Sequence, residues 1–436
     1  MKIHILGICG TFMGSLAVLA AKAGIQVSGQ DVAIYPPMST QLLEQNIAIT
    51  DGYELNDLPK DLDMIVIGNV MRRGMPIIEH VLNQKLPFMS GPEFLAKYIL
   101  KDQHVLAVTG THGKTTTTSI LTWILHFAGL NPGYLIGGVP NNFGISADLG
   151  AGKYFVIEGD EYDCAFFDKR SKFMHYCPQT LIINNIEFDH ADIFKDLDAI
   201  LTQFHYLLRT MPGNALVVHN ADDSNITDLL EKGCWSNKAA FGKDGAKIQL
   251  PMSLLGEHNR LNALAAIAAA QHVGVPQEVA ILGLQEFTGV RRRLELKGAV
   301  GAINVYSDFA HHPTAIATTL DAVRTNYAPK RRIIAVVDIC SNTMRAGVHK
   351  DALGAAVEIA DMAYFFHATN LTWDVEQTWQ SSNKSGGVYQ TQDALLQALL
   401  QNLHSDDLVL LMSNGAFEGF AQHLLQELQV TTVVNS

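Results

Sequence analysis

Short apolar runs alternate with longer, helix-spaced stretches along the whole chain. Lys2 to Leu6 reads as a buried strand, and a glycine-spaced turn leads from it into a helix over Ser15 to Ala23. Gln26 to Ser28 and Met64 to Ile67 read as further strands. The run Val105 to Val108 leads into a second glycine loop and a helix over Thr117 to Phe127, and strands over Phe155 to Glu158 and Thr180 to Asn184 follow. Ile303 to Ser307, Arg332 to Val337, Met362 to Phe366 and Leu408 to Met412 repeat the pattern. Alternation of this kind predicts α/β domains built on mostly parallel sheets.

The 436 residues are too many for one hydrophobic core. The pattern divides them into three segments, residues 1–101, 102–289 and 290–436, with no internal repeat. A hydrophobic content of 48% and a charged content of 17% are those of a globular protein. The net charge of −12 argues against a general nucleic-acid binder. It leaves anionic small ligands open, since a local loop can bind phosphate within an acidic protein. The cysteines Cys9, Cys164, Cys177, Cys234 and Cys340 are scattered without a C-x-x-C pair, so reduced thiols of a cytosolic protein are expected. The chain enters a strand pattern at once, with no signal-peptide pattern, and no apolar run reaches the ~20 residues that span a bilayer. A cytoplasmic protein with no membrane partner is the expectation.

The sharpest chemical signal is Thr109-Gly110-Thr111-His112-Gly113-Lys114-Thr115-Thr116, placed after a strand and before a helix. Glycines let backbone N–H groups close around phosphate oxygens, and the helix N-terminus adds positive potential. Lys114 can reach the β- and γ-phosphates, and the Thr115 hydroxyl can bind Mg²⁺. The strict G-x-x-x-x-G-K-[ST] pattern fails at Val108, where its first glycine belongs. Downstream, strands end at Glu158 and Asn184, the second followed by Glu187-Phe188-Asp189-His190. In a parallel sheet such ends converge on one crevice, which predicts Glu158 and His190 beside the phosphate loop as ligands of magnesium. Asp160, Glu161 and Asp163 read equally well as solvated loop residues. Gly256-Glu257-His258-Asn259-Arg260-Leu261-Asn262 opens an alanine-rich helix, with Asn259 read as its cap and Asn262 able to pair with an adenine edge. Arg291-Arg292-Arg293 is either a solvated face or, at a domain junction, a phosphate clamp.

Together these pieces resemble the Mur ligase family of peptidoglycan synthesis. The loop matches that family's T-G-T-x-G-K-T-T variant, which accounts for the missing glycine. The G-x-H-N-x-x-N helix matches as well, and Asp308-Phe309-Ala310-His311-His312-Pro313 is similar to its D-[YF]-[GA]-H-H-P segment. Longer stretches point to the branch that takes a peptide: HILGICGTFMG from His4, YPPMST from Tyr35, DEYDCAFFDKRSKF from Asp160, EFDHADIF from Glu187 and SNTM from Ser341. The resemblance covers essentially the whole chain. It implies a three-domain architecture, with a Rossmann-like domain, a central phosphate-loop domain and a Rossmann-like ligase domain. It implies an ATP-dependent ligase, acting as a monomer, that joins the lactyl carboxylate of UDP-N-acetylmuramate to L-alanyl-γ-D-glutamyl-meso-diaminopimelate through an acyl phosphate, in peptidoglycan recycling.

Carried over residue by residue, the resemblance gives Gly110, Thr111, His112, Gly113, Lys114, Thr115 and Thr116 to the ATP phosphates. It gives Mg²⁺ to Thr115, Glu158 and His190, adenine to Asn262, and further ATP contacts to Arg293 and Asp308. Lys114, Glu158 and His190 form the catalytic set. Gly10, Thr11, Met13 and Asp31 are expected on the UDP moiety, and Ser341, Asn342 and Arg345 on the peptide. The loop from Gly7 to Gly14 reads G-x-x-G-x-x-x-G rather than G-x-G-x-x-G, which weakens a NAD-dehydrogenase reading. Some features depart from the family. Cys340 stands where an arginine often precedes S-N-T-M, with Arg345 as the nearby replacement. The stretch between Phe241 and Gly256 is short, as if a hairpin were missing. The S-N-G-G-F-G-G pattern reads Ser413-Asn414-Gly415-Ala416-Phe417-Glu418-Gly419. Between Phe204 and Gly213 there is no lysine to carbamylate, so none is expected. His311 or His312 either assists deprotonation of the amine or is structural. The alternatives are a ligase for free L-alanine, a folate polyglutamylating ligase, and a nucleotide sensor that has lost catalysis.

Overall fold

The computed structural model describes residues 1–35, 38–242, 250, 256–326, 331–415 and 417–434. The pair Pro36-Pro37 of the 35–40 stretch, most of the short stretch after Phe241, and Ala416 lie outside the described residues. The chain divides into two compact units. One holds Met1–Phe188, Asp196–Ser253 and Leu261–Gly289, and the other holds Asp189–Lys195, Leu254–Arg260 and Val290–Ser436.

The first unit contains two sheets. One is five-stranded and parallel, in the order Ala48–Asp51, Gln26–Asp31, Lys2–Leu6, Met64–Ile67, Phe88–Ser90. The other has seven strands in the order Asn237–Phe241, Leu216–Asn220, Thr180–Ile183, His104–Thr109, Tyr154–Glu158, Gly133–Leu135, Ala147–Asp148. All its pairs are parallel except the last. Parallel strands are covered on both faces, so they carry unbroken apolar runs. His104–Thr109 (HVLAVT) and Thr180–Ile183 (TLII) are of this kind, and both are buried.

The order of the second sheet does the positioning. His104–Thr109 lies between Thr180–Ile183 and Tyr154–Glu158, so the C-terminal ends of all three strands meet at one edge. From the central strand the chain enters the helix Lys114–Phe127, three residues earlier than the sequence pattern suggests. Gly113, at φ +78°, makes the turn in the left-handed region, and the threonine run follows as helix at once. Its buried hydroxyls are satisfied four residues back: Thr118, Ser119 and Thr122 each donate to a helix carbonyl at 2.7 Å. The first helix likewise starts early, at Thr11, so only Gly7 to Gly10 is turn. The helix Glu257–His272 begins before Asn259, whose N–H donates to the Gly256 carbonyl at 3.1 Å. Asn259 therefore lies within the first turn and is not the cap.

The second unit is built on a six-stranded sheet, in the order Glu295–Val300, Ile303–Asp308, Leu408–Met412, Ile333–Asp338, Met362–Phe366, Ser385–Tyr389. Its first pair is antiparallel and the others are parallel. One apolar cluster, with Ile316, Val337 and Phe365, and a second, with Val336, Tyr364 and Leu424, make up its core.

Candidate active site

The phosphate loop is clamped from below by the two asparagines that follow Thr180–Ile183. Asn185 Oδ1 accepts the His112 N–H at 2.7 Å, and its carbonyl accepts the Thr111 N–H at 3.0 Å. Asn184 Nδ2 donates to Thr117 Oγ1 at 3.0 Å and to the His112 carbonyl at 3.3 Å. Thr111 Oγ1 accepts the Glu187 N–H at 2.8 Å. A Cβ on Gly113 would stand 2.5 Å from Asn262 Oδ1, so the loop accepts only glycine there and Asn262 packs against it.

At the mouth of the loop five ionisable side chains interlock. Thr115 Oγ1 donates to Glu158 Oε1 at 3.0 Å, and the Gly137 N–H donates to Glu158 Oε2 at 2.8 Å. Lys114 Nζ donates to Glu161 at 2.8 and 3.1 Å and to the Gly110 carbonyl at 2.7 Å. Burial works against the Lys114 charge, but Glu161, Asp160 and Glu158 outweigh it and raise its pKa. Glu161 is 2% exposed, so the pair is a buried one. Asp160, in turn, accepts from Lys172 Nζ at 2.5 Å. A threonine hydroxyl beside a carboxylate is donor chemistry that suits a hard divalent cation. The loop amides and Lys114 suit a polyphosphate.

A cavity of about 420 Å³ opens beside this cluster. Gly10, Thr11, Met13 and Asp31 line one side, and Gly137, Glu158, Asp160 and Lys172 line the other. Asp31 shapes the glycine turn: its carboxylate accepts the N–H groups of Cys9 (2.8 Å), Val32 (2.8 Å) and Ala33 (3.0 Å). Burial and the neighbouring Asp31 push the Cys9 thiol up to about 11.

The second unit holds the rest of the sequence-predicted set. His190 has a φ of +54° and follows Asp189, whose Oδ1 accepts from Thr343 Oγ1 at 2.8 Å. Burial opposes the Asp189 charge, yet His190, His311 and that hydroxyl hold its carboxyl below the usual range. His311 Nε2 lies 4.0 Å from Asp189 Oδ2, and His312 packs on His349 with ring centroids 4.3 Å apart. Asp308 accepts the N–H groups of Leu294 (2.7 Å) and Ala310 (2.8 Å). Arg291 is exposed, but the other two arginines are not a solvated face: Arg292 Nη2 donates to the carbonyls of Ser413 (2.7 Å) and Gly415 (2.8 Å), and Arg293 lies over the Phe309 ring. Ser341 caps the short helix Asn342–Arg345, Asn342 donates to Asp192 at 3.0 Å, and Arg345 is exposed. Cys340 faces Asn414 Oδ1 at 2.8 Å, and burial beside Asp338 pushes its thiol up to about 11.

Three family models match consecutive stretches of the chain: "Mur ligase family, catalytic domain" over residues 2–103, "Mur ligase middle domain" over 108–246 and "Mur ligase, glutamate ligase domain" over 292–415. The chain is 48% identical, over 98% of both chains, to the UDP-N-acetylmuramate–L-alanyl-γ-D-glutamyl-meso-2,6-diaminoheptandioate ligase of Escherichia coli. The chain belongs to the Mur ligase family. The crystal structure of a murein peptide ligase from Psychrobacter arcticus superposes with a TM-score of 0.76 at 42% identity, covering 98% of this Mur ligase and 99% of that chain. The UDP-N-acetylmuramate–L-alanine ligase of Renibacterium salmoninarum is 34% identical over 74% of this chain and 73% of its own.

This Mur ligase is thus an ATP-dependent ligase. Among its sequence-predicted residues, the loop from Gly110 to Thr116, Glu158 and Asn262 come together in the first unit, with the cavity residues beside Glu158. His190, Arg293, Asp308, Ser341, Asn342 and Arg345 belong to the second unit. Lys172 escaped the sequence reading. It stands inside the stretch from Asp160 to Phe173, but its place in the cavity depends on a hairpin, Asp163–Ala165 with Asp168–Ser171, that no periodicity announces. No helix among the described residues is long and apolar enough to cross a membrane.

Proposed function

We propose that this Mur ligase joins the lactyl carboxylate of UDP-N-acetylmuramate to the amine of L-alanyl-γ-D-glutamyl-meso-diaminopimelate, using ATP and Mg²⁺. The observation that carries the reading is the near full-length likeness to the Escherichia coli enzyme of that specificity. The reaction takes place in the cytoplasm, with the protein a monomer, and reuses peptide released from the wall. The domains are residues 1–101 for the nucleotide sugar, 102–289 for ATP and 290–436 for the peptide.

In the first step a carboxylate oxygen attacks the γ-phosphorus of ATP, ADP leaves, and an acyl phosphate forms. In the second step the peptide amine attacks the acyl carbon. The tetrahedral intermediate expels phosphate, and the amine gives up its proton. The amides of Gly110 to Gly113, with Lys114, Thr115 and Thr116, hold the polyphosphate, and Lys114 exchanges Glu161 for phosphate oxygens. Thr115 and Glu158 would hold Mg²⁺, which when bound would supply positive charge to the transferring phosphoryl oxygens, and His190 is the further ligand that the family resemblance implies. Asn262 reads adenine, and Arg293 and Asp308 contact ATP. Gly10, Thr11 and Met13 hold the nucleotide sugar on a turn that Asp31 shapes. Ser341, Asn342 and Arg345 hold the peptide, with Cys340 giving no charge to that site. Catalysis is chiefly positioning and charge neutralisation.

The likeness to L-alanine ligases supplies the second reading. Mass spectrometry of the product from a mixture of both amines tests the two. The tripeptide adduct of the nucleotide is expected, and an L-alanine adduct alone would overturn the reading.

A further inference from the structure

Among the described residues that line the cavity are three carboxylates, Asp31, Glu158 and Asp160, and one cation, Lys172. The proposed occupant is polyanionic, with a diphosphate at one end and a carboxylate on the sugar. Asp31 is committed to the N–H groups of Cys9 in the glycine turn and of Val32 and Ala33 just after itself. Lys172 is held in place from several sides. Its N–H donates to the Tyr162 carbonyl at 3.0 Å, and the next residue, Phe173, is fully buried against Phe204. Its ammonium lies 5.6 Å from the Phe12 ring and 5.7 Å from the Tyr162 ring, with the side chain 12% exposed. Its partner Asp160 stands two residues beyond Glu158, which Thr115 of the loop holds, so Lys172 lies at the end of the cavity next to the loop.

We propose that Lys172 exchanges Asp160 for the lactyl carboxylate of the nucleotide sugar, binding and orienting the group to be phosphorylated. This rests on the function proposed above. An ammonium in a largely desolvated pocket favours a substrate with a carboxylate over one without. Lys172 thereby separates UDP-N-acetylmuramate from UDP-N-acetylglucosamine, which has the same diphosphate and lacks the lactyl group. Asp160 keeps the lysine placed while the cavity is empty of substrate.

Calorimetric titration of both nucleotides into wild type, Lys172→Met and Lys172→Arg tests this, with ATP affinity measured on each protein. Wild type is expected to prefer the muramate nucleotide. Lys172→Met should weaken that nucleotide roughly 10- to 100-fold, the range for a charged hydrogen bond, and leave UDP-N-acetylglucosamine and ATP unchanged. Lys172→Arg should recover part of the preference; it also carries the test alone if Lys172→Met does not bind ATP. Equal weakening of both nucleotides, or no weakening, would overturn the proposal. A wild type without preference for the muramate nucleotide would instead remove the function proposed above, and this inference with it.

Discussion

Thr115 Oγ1 donates to Glu158 Oε1 at 3.0 Å, while the Gly137 N–H secures the other Glu158 oxygen at 2.8 Å. The phosphate loop is thereby tied to the end of the neighbouring strand by the two side chains proposed to share a metal. Glu158→Gln keeps the shape and removes the charge. ATP-driven phosphate release should fall on the order of 100-fold or more, with binding of the nucleotide sugar retained. A variant with near wild-type release at ordinary Mg²⁺ would remove Glu158 from the catalytic set.

Lys114 and Glu161 form a buried pair, and breaking such a pair leaves an uncompensated charge at a cost of about 3 kcal/mol. Glu161→Gln should therefore lower the thermal midpoint by several degrees without nucleotide. ATP, whose phosphates take over Lys114, should raise that midpoint more than it raises the wild type's. Equal ATP-induced shifts in differential scanning fluorimetry would contradict the exchange of partners.

Gly113 has φ +78°, and a Cβ there would meet Asn262 Oδ1 at 2.5 Å. An L side chain in that conformation costs about 1 kcal/mol before the clash is counted. Gly113→Ala should weaken ATP roughly tenfold or more and leave nucleotide-sugar binding intact. Unchanged ATP affinity by equilibrium dialysis would refute the tight loop.

Acid should destabilise the protein in two stages. His4, His104, His219, His258 and His272 are all held below their ordinary value of 6.5, chiefly by burial. Their unfolded forms bind more protons below that value, so stability present above pH 6.5 is lost as pH falls through it. Asp168 is partly buried, but Arg170 and His175 bring it from 3.8 down to about 2, which adds a second loss between those values. Thermal midpoints across pH should show both declines. Stability rising from pH 7 to 5 would contradict this picture.

The central strands were legible in the sequence because buried parallel strands are uniformly apolar, as Val105 to Val108 shows. The edge strands Asn237–Phe241 (NKAAF) and Ser385–Tyr389 (SGGVY) were not, since one side faces no neighbour and the apolar pattern lapses. That Glu158 would stand beside the glycine loop could be read because the ends of neighbouring parallel strands converge on one edge. Arg292 could not, because its partners Ser413 and Gly415 lie more than a hundred residues away and meet it only in the folded sheet. Lys172 was hidden for the same reason: its place depends on a ring from Phe12 and a cavity wall assembled from distant segments.

The most direct test of the account is phosphate release from ATP and Mg²⁺ with UDP-N-acetylmuramate, comparing the tripeptide with L-alanine and using Lys114→Ala as control. Release that requires the tripeptide and vanishes in Lys114→Ala is the result predicted. Release with L-alanine alone, or with neither amine, would contradict it.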